Sequence, residues 1–263
     1  MKTVLTNSIG LLLILALTGC TPVKKTVFQE KLPAIAHVHI GHAITGWKQT
    51  PDKKGLLQTA EKEASIALAH AEYAVEKPDE LVLIKLHVAH VMHAVNPESR
   101  KDGPGTGFGL KKAVTEAIGH ITFAADSDDA SENVRNFAEP FAVNAKAVLE
   151  RSDLIEVLGE EVLQTVSAQE AFALTGEILN LARANVEGVD TDGDGAIGAD
   201  PREYGLKQLR AQIMAMTNNE DPPYRPVARR YLFGLIRLPG GKWAFSWLVD
   251  RFYDPEGGGG GSY

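Results

Sequence analysis

The sequence predicts an all-α protein: a histidine-lined four-helix bundle followed by a second helical region built around an acidic loop. Apolar residues recur at helical spacing almost throughout residues 33–252, with hardly any two-residue alternation. The interruptions carry turn chemistry, at Pro51-Asp52, Pro78-Asp79, Asn96-Pro97, Gly103-Pro104-Gly105, Asp221-Pro222-Pro223 and Pro239-Gly240-Gly241. All eight histidines fall between His37 and His120, inside the first helices, and none follows.

Residues 1–19 read as a targeting segment, because Lys2 precedes an apolar run, Ile9 to Ala16, that is too short to span a membrane permanently. The run ends in Leu17-Thr18-Gly19-Cys20, which resembles a bacterial lipobox. The resemblance implies cleavage before Cys20 and acylation of that cysteine, the only one in the chain. Lipid chains contribute roughly 0.8 kcal/mol per buried CH₂, so the protein is expected on a membrane surface in the bacterial cell envelope. Thr21 in place of an aspartate implies, by resemblance to Gram-negative sorting, the outer membrane, facing the periplasm or the cell surface. With Cys20 acylated, no disulfide or thiolate metal site remains. Residues 20–32 form a tether and residues 256–263 a flexible glycine-rich tail.

Between these ends, 44% apolar residues suffice for a core. The net charge of −7 becomes −8 when Lys2 leaves with the signal segment, and no basic block exceeds a pair. Nucleic acid is therefore excluded as an expected partner. The spacing predicts helices over 33–46, 56–76, 79–95, 108–125, 130–150, 154–166, 168–187, 202–217, 224–236 and 242–252. The first four would form a bundle over 33–126, and the rest a helical region over 127–255. An internal echo supports the bundle: His37, Gly55 and His70 recur as His87, Gly105 and His120, and His39-x-x-His42-Ala43 recurs as His90-x-x-His93-Ala94. Two helical pairs of this length cannot bury their apolar faces alone, so they are expected to stack.

The histidines share helical faces. At about 100° per residue, His87 and His90 stand roughly 200° and 140° from Lys85, the only charged residue between Leu81 and Val95. They point away from water on an otherwise apolar helix, where a charged imidazole is costly, so neutral rings with a free lone pair are expected. His70 and His120 lie at equivalent edges of their helices and are expected to approach the stripe His87, His90 and His93. His42 joins these five as a cofactor-binding candidate, and His37 and His39 add a close pair of metal-ligand candidates. Imidazoles suit copper, nickel or zinc, and the thioether of Met92 tilts the choice towards copper.

Residues Glu63, Ala64, Ala67, His70, Ala71, Glu72, Tyr73 and Ala74, with the histidine-rich helix that follows, resemble the small metal-binding protein type of periplasmic histidine-rich helical bundle. The resemblance covers about residues 57–125 and implies reversible binding of divalent transition metals; the long second half departs from it. The alternative is a redox or electron-transfer protein that holds haem b between the same histidines. The absence of Cys-x-x-Cys-His excludes covalent haem attachment, and no Glu-x-x-His pair offers a di-iron site.

The run Asp190-Thr191-Asp192-Gly193-Asp194-Gly195-Ala196-Ile197 resembles an EF-hand calcium loop, which makes residues 168–217 an EF-hand-like helix-loop-helix. Alternate carboxylates surround a hard cation, Gly195 allows the turn, the Ala196 carbonyl is a ligand and Ile197 packs inward. The twelfth position, where a bidentate glutamate is expected, is Pro201, so Asp200 or Glu203 would have to complete the shell. Outside the cytosol such a site serves as a structural staple. Among the remaining features, Trp47, Trp243 and Trp247 read as core, and Arg225 to Arg237 as an amphipathic helix with a solvated basic face. No nucleophile elbow or phosphate loop occurs, so the chain is expected to be a metal-binding lipoprotein without catalytic activity.

Overall fold

The computed structural model describes residues 35–221, Tyr224 and three short strands at 229–230, 235–237 and 243–245. The signal segment, Cys20 with its tether, and the glycine-rich tail lie outside the described residues. Seven α-helices make up the described chain apart from two 3₁₀ turns and the strands: α1 (Ile35–Ile44), α2 (Leu56–Val75), α3 (Leu81–Val95), α4 (Leu110–Asp126), α5 (Glu132–Gln164), α6 (Ala168–Glu187) and α7 (Leu206–Asn218). The all-α class expected from the periodicity is the class observed for residues 35–221.

Local chemistry sets the helix ends. The Asp129 carboxylate accepts from Ile35 N at 2.6 Å and Ala36 N at 3.1 Å, so a carboxylate from beyond α4 satisfies the first amides of α1. Ser131 and Ser167 cap α5 and α6 through Val134 N and Glu170 N. Ahead of α4, Gly109 has φ +85°, and a Cβ there would lie 2.4 Å from Pro97 Cδ. Only glycine fits that entry.

The helices share one apolar core. The face of α2 that packs on its neighbours is almost pure alanine: Ala60, Ala64, Ala67, Ala71 and Ala74 are buried. Small residues at this spacing let α3, α4 and α6 approach closely. Within the bundle α1 packs chiefly on α4, and α2 on α3. The first helix of each sequence unit therefore pairs with the second helix of the other. Positions of α2 and α4 that are 50 apart play the same part: Ala60/Leu110, Ala64/Val114, Ala67/Ala117, Ala71/Ile121 and Ala74/Ala124 are all buried.

Three expectations are corrected. The segments 130–150 and 154–166 are one helix, because the polar break Arg151-Ser152-Asp153 lies inside α5 with Arg151 and Ser152 buried. Arg151 donates from Nε to Asn185 Oδ1 at 3.0 Å and from Nη1 to the Arg202 carbonyl at 2.9 Å, and Nη2 donates to the Tyr204 carbonyl. Internal partners replace the solvent that such a break normally implies. The helix expected from 202 begins at Leu206, since Pro201 opens a 3₁₀ turn over Pro201–Glu203 that Asp200 caps. The helices expected at 224–236 and 242–252 are contradicted by strands β1 (Arg229–Arg230), β2 (Leu235–Arg237) and β3 (Trp243–Phe245). They form an antiparallel meander that pairs Arg230 with Ile236 and Leu235 with Phe245. Aromatic and branched residues around Pro239-Gly240-Gly241 suit a hairpin as well as a helix, and strand pairing decided the case.

Candidate metal centres

The helix pairing gathers six of the eight histidines into two triads. In the first, His39 and His42 project one turn apart from α1 and meet His120 from α4; His39 Nδ1 and His120 Nδ1 are 3.0 Å apart. In the second, His87 and His90 project one turn apart from α3 and meet His70 from α2. Here His70 Nδ1 stands 3.1 Å from His87 Nδ1 and 3.3 Å from His90 Nδ1. Within each triad one nitrogen from every ring lies within 4.8 Å of the other two. A tetrahedral ion bound at about 2.0–2.1 Å spaces its nitrogen ligands roughly 3.3 Å apart. Each triad could therefore hold a metal ion.

Aromatic rings back both triads, and the two arrangements correspond. Tyr73, three residues after His70, has its ring 5.5 Å from His70 and from His87. Phe123, three residues after His120, has its ring 5.5 Å from His39 and 6.0 Å from His120. The first triad has a further neighbour: the Trp47 indole lies 4.3 Å from His42 and 4.6 Å from His120, centroid to centroid. Its Nε1 donates to Glu116 Oε2 at 3.2 Å, one turn before His120 on α4.

The electrostatics disfavour the charged form of five of these rings, His39, His42, His70, His90 and His120. Burial, followed by the neighbouring His120, His39 and Lys48, lowers His42 to about 4. Burial and then His39 lower His120 to about 4 as well. His39 is depressed by burial, and His70 and His90 by burial and then by neighbouring histidines. Neutral imidazole is the form that coordinates metal. His42 Nδ1 is buried without a hydrogen-bond partner, a donor atom left over for a guest.

His37 and His93 stand apart from both triads. His37 Nε2 pairs with Glu220 Oε2 at 2.8 Å, and Glu220 also accepts from Ser131 Oγ and Asn133 Nδ2, both at 2.6 Å. His93 is buried, with Nδ1 donating to the Arg100 carbonyl at 2.6 Å. The expected approach of His120 to the α3 stripe is also corrected, because α4 packs on α1 and carries His120 there. The echo that matters chemically thus pairs His39-x-x-His42 with His87-x-x-His90 rather than with His90-x-x-His93. Met92 packs fully buried against Gly159 of α5, where a Cβ would meet its sulfur at 2.6 Å.

Sequence reasoning missed the groups that hold the site in place. Glu63 is fully buried on α2, and its Oε1 accepts from Thr106 N at 3.0 Å, Phe108 N at 3.3 Å and Gly109 N at 3.2 Å. It thereby anchors the loop that launches α4 and aims His120. A glutamate among alanines at core positions was the available signal. Trp47 was legible only as a core aromatic and Tyr73 only as part of the motif at residues 63–74, and Phe123 was not singled out.

At the acidic loop, carboxylate oxygens of Asp190, Asp192 and Asp194 come within 4.8 Å of one another. Asp190 accepts from Gly193 N at 2.7 Å and Gly195 N at 2.9 Å, and Asp194 accepts from Ala196 N at 2.7 Å. Glu203 does not join them; its carboxylate accepts from Thr191 N at 3.2 Å and Gly198 N at 2.8 Å. These amides, Gly198 first, hold it at about 2. Asp200 is bonded to Arg202 at 2.6 Å, and that partner also holds it at about 2. Ile197, expected to pack inward, is 41% exposed beside Gly188. No protein-family model, curated protein or solved structure matches the chain.

Proposed function

We propose that this chain is a transition-metal-binding lipoprotein, anchored through Cys20 in the bacterial cell envelope, that holds copper, nickel or zinc at the two histidine triads. One observation carries the reading: imidazole nitrogens from separate helices converge to 3.0–3.3 Å at two related places. Its role is storage or delivery, without catalysis. Metal ions suit this geometry better than haem b, because a macrocycle has to pass between opposed axial rings, whereas these nitrogens converge on one point. Elemental analysis after metal loading and desalting is expected to return one ion per triad. His87→Gln with His90→Gln should remove one ion, and His39→Gln with His42→Gln the other. Unchanged metal content in both variants would overturn the reading, and a Soret band in the purified protein would replace it with haem.

Calcium at residues 190–203 is a second, separable part of the proposal, favoured by the convergence of Asp190, Asp192 and Asp194. With Asp200 and Glu203 engaged elsewhere, the coordination shell is completed by the Ala196 carbonyl and water. Affinity in the weak extracellular range of roughly 10⁻⁴–10⁻³ M is expected. Millimolar calcium should raise the melting temperature and chelation should reverse it; a melting temperature indifferent to both would remove the calcium part alone. Labelling with fatty acid, lost on Cys20→Ser, tests the anchor.

A further inference from the structure

Resting on the metal-binding reading, we infer that the two triads are not interchangeable: the first is a site for monovalent copper capped by the Trp47 indole, and the second a site for a divalent ion. Three differences between the triads point the same way. The first is dryness. His120 is 9% exposed, and His42 carries a buried, partnerless Nδ1. Tyr73 and Phe123, at the rims of the two triads, are both about half exposed, but at the second triad none of His70, His87 and His90 is fully buried. Removing an ion from water costs free energy that rises with the square of its charge, so a dry cage penalises a dication far more than a monocation. An open cage lets a divalent ion keep a water as its fourth ligand.

The second difference is the aromatic cover. Trp47 lies 4.3 and 4.6 Å from two of the three imidazoles, so an ion held by those rings comes within reach of the indole face. Monovalent copper needs no more than three donors, and three histidines beneath an indole give it a complete environment. Tyr73 stands farther from its triad, at 5.5 Å, and is half in solvent. The third difference is charge. The Lys48 ammonium lies 5.7 Å from the Trp47 ring, which itself stands 4.3 Å from His42. It repels a dication twice as strongly as a monocation. The only carboxylate contact described there, from Glu116, is taken by the Trp47 Nε1 hydrogen and stands outside the donor set.

The test titrates the protein with cuprous ion, kept reduced by ascorbate and buffered by a chromogenic cuprous chelator, and separately with zinc. One tight cuprous equivalent is expected, quenching tryptophan emission, with His70→Gln and His87→Gln leaving it in place. His39→Gln, at the more accessible edge of the first triad, should abolish it. Trp47→Leu should weaken cuprous binding by about tenfold and remove the quenching, while zinc affinity at the second triad stays unchanged. Circular dichroism confirms that each variant is folded; should Trp47→Leu unfold, Trp47→Phe replaces it, with a smaller loss in the same direction. Equal cuprous affinity at both triads, or a Trp47 substitution in folded protein without effect on it, overturns the inference and leaves the two-site reading standing. Absence of both cuprous and zinc binding overturns the two together.

Discussion

His42 and His120 are each held at about 4, well below the usual imidazole value of 6.5, chiefly by burial. Because the folded values lie below the unfolded ones, the unfolded chain takes up protons first as pH falls. The contribution to stability is fully present above about pH 6.5 and is lost as pH falls from there to about 4. The metal-free protein should lose on the order of 2–4 kcal/mol across that window, after allowance for water at the rim of the triad. Urea unfolding at pH 7.0 and 5.0 checks this, with His42→Gln expected to lose less between the two. Elsewhere at this scale, Glu63→Ala leaves the Thr106 and Gly109 amides without their acceptor and Phe108 N with only Thr106 Oγ1, and should cost about 2–4 kcal/mol. Since that loop aims His120, metal at the first triad should weaken more than at the second; equal weakening in a calorimetric titration would refute the aiming role. Glu63 stood out in the sequence only as part of the motif at residues 63–74 that carries the resemblance, and its partners lie 43 to 46 residues away.

Individual helices were legible wherever the apolar period was strong, and the limits of α2, α3 and α6 fall within two residues of those the spacing predicts. The exceptions share a cause. Arg151-Ser152-Asp153 resembles a surface break, but Arg151 is buried against Asn185 and the carbonyls of Arg202 and Tyr204. No local signal distinguishes a solvated arginine from one satisfied 34 to 53 residues away. Arg151→Leu should therefore destabilise the protein by about 3 kcal/mol and speed amide exchange in residues 188–205, measured by hydrogen-deuterium exchange. The entry to α4 offers an independent check on element placement. Gly109→Ala sets a side chain at φ +85° against Pro97 and should cost at least about 1–2 kcal/mol, measured by thermal unfolding. The strands at 229–245 escaped the reading because their pairing partners, not their own period, select extended backbone.

Across the whole molecule, each triad joins a helix of one sequence unit to a helix of the other, so bound ions act as clamps on the bundle. An ion present at one hundred times its dissociation constant adds about 2.7 kcal/mol per site. Loading both triads should therefore raise the melting temperature in two additive steps, each abolished by the variants of its own triad. A melting temperature unmoved by saturating metal would show that the folded triads bind the ion no better than the unfolded chain does. The small residues of α2 bring the partner helices close enough for this, so Ala67→Leu should lower stability by overpacking and loosen both sites.

The sequence by itself determined the all-α class, the main helices, the clustering of every histidine in the first half and the acidic loop. These follow from composition and from periods of a few residues, which act along one segment. Only the tertiary structure decided which histidines meet. Sequence spacing treated His87, His90 and His93 as one stripe, yet α2 lends His70 to the first two, and His93 turns to the Arg100 carbonyl. His120 goes instead to α1, because helix faces of small and apolar residues select partners by fit over the whole contact. A ring nitrogen follows its helix, and no local rule says which neighbour that helix will find.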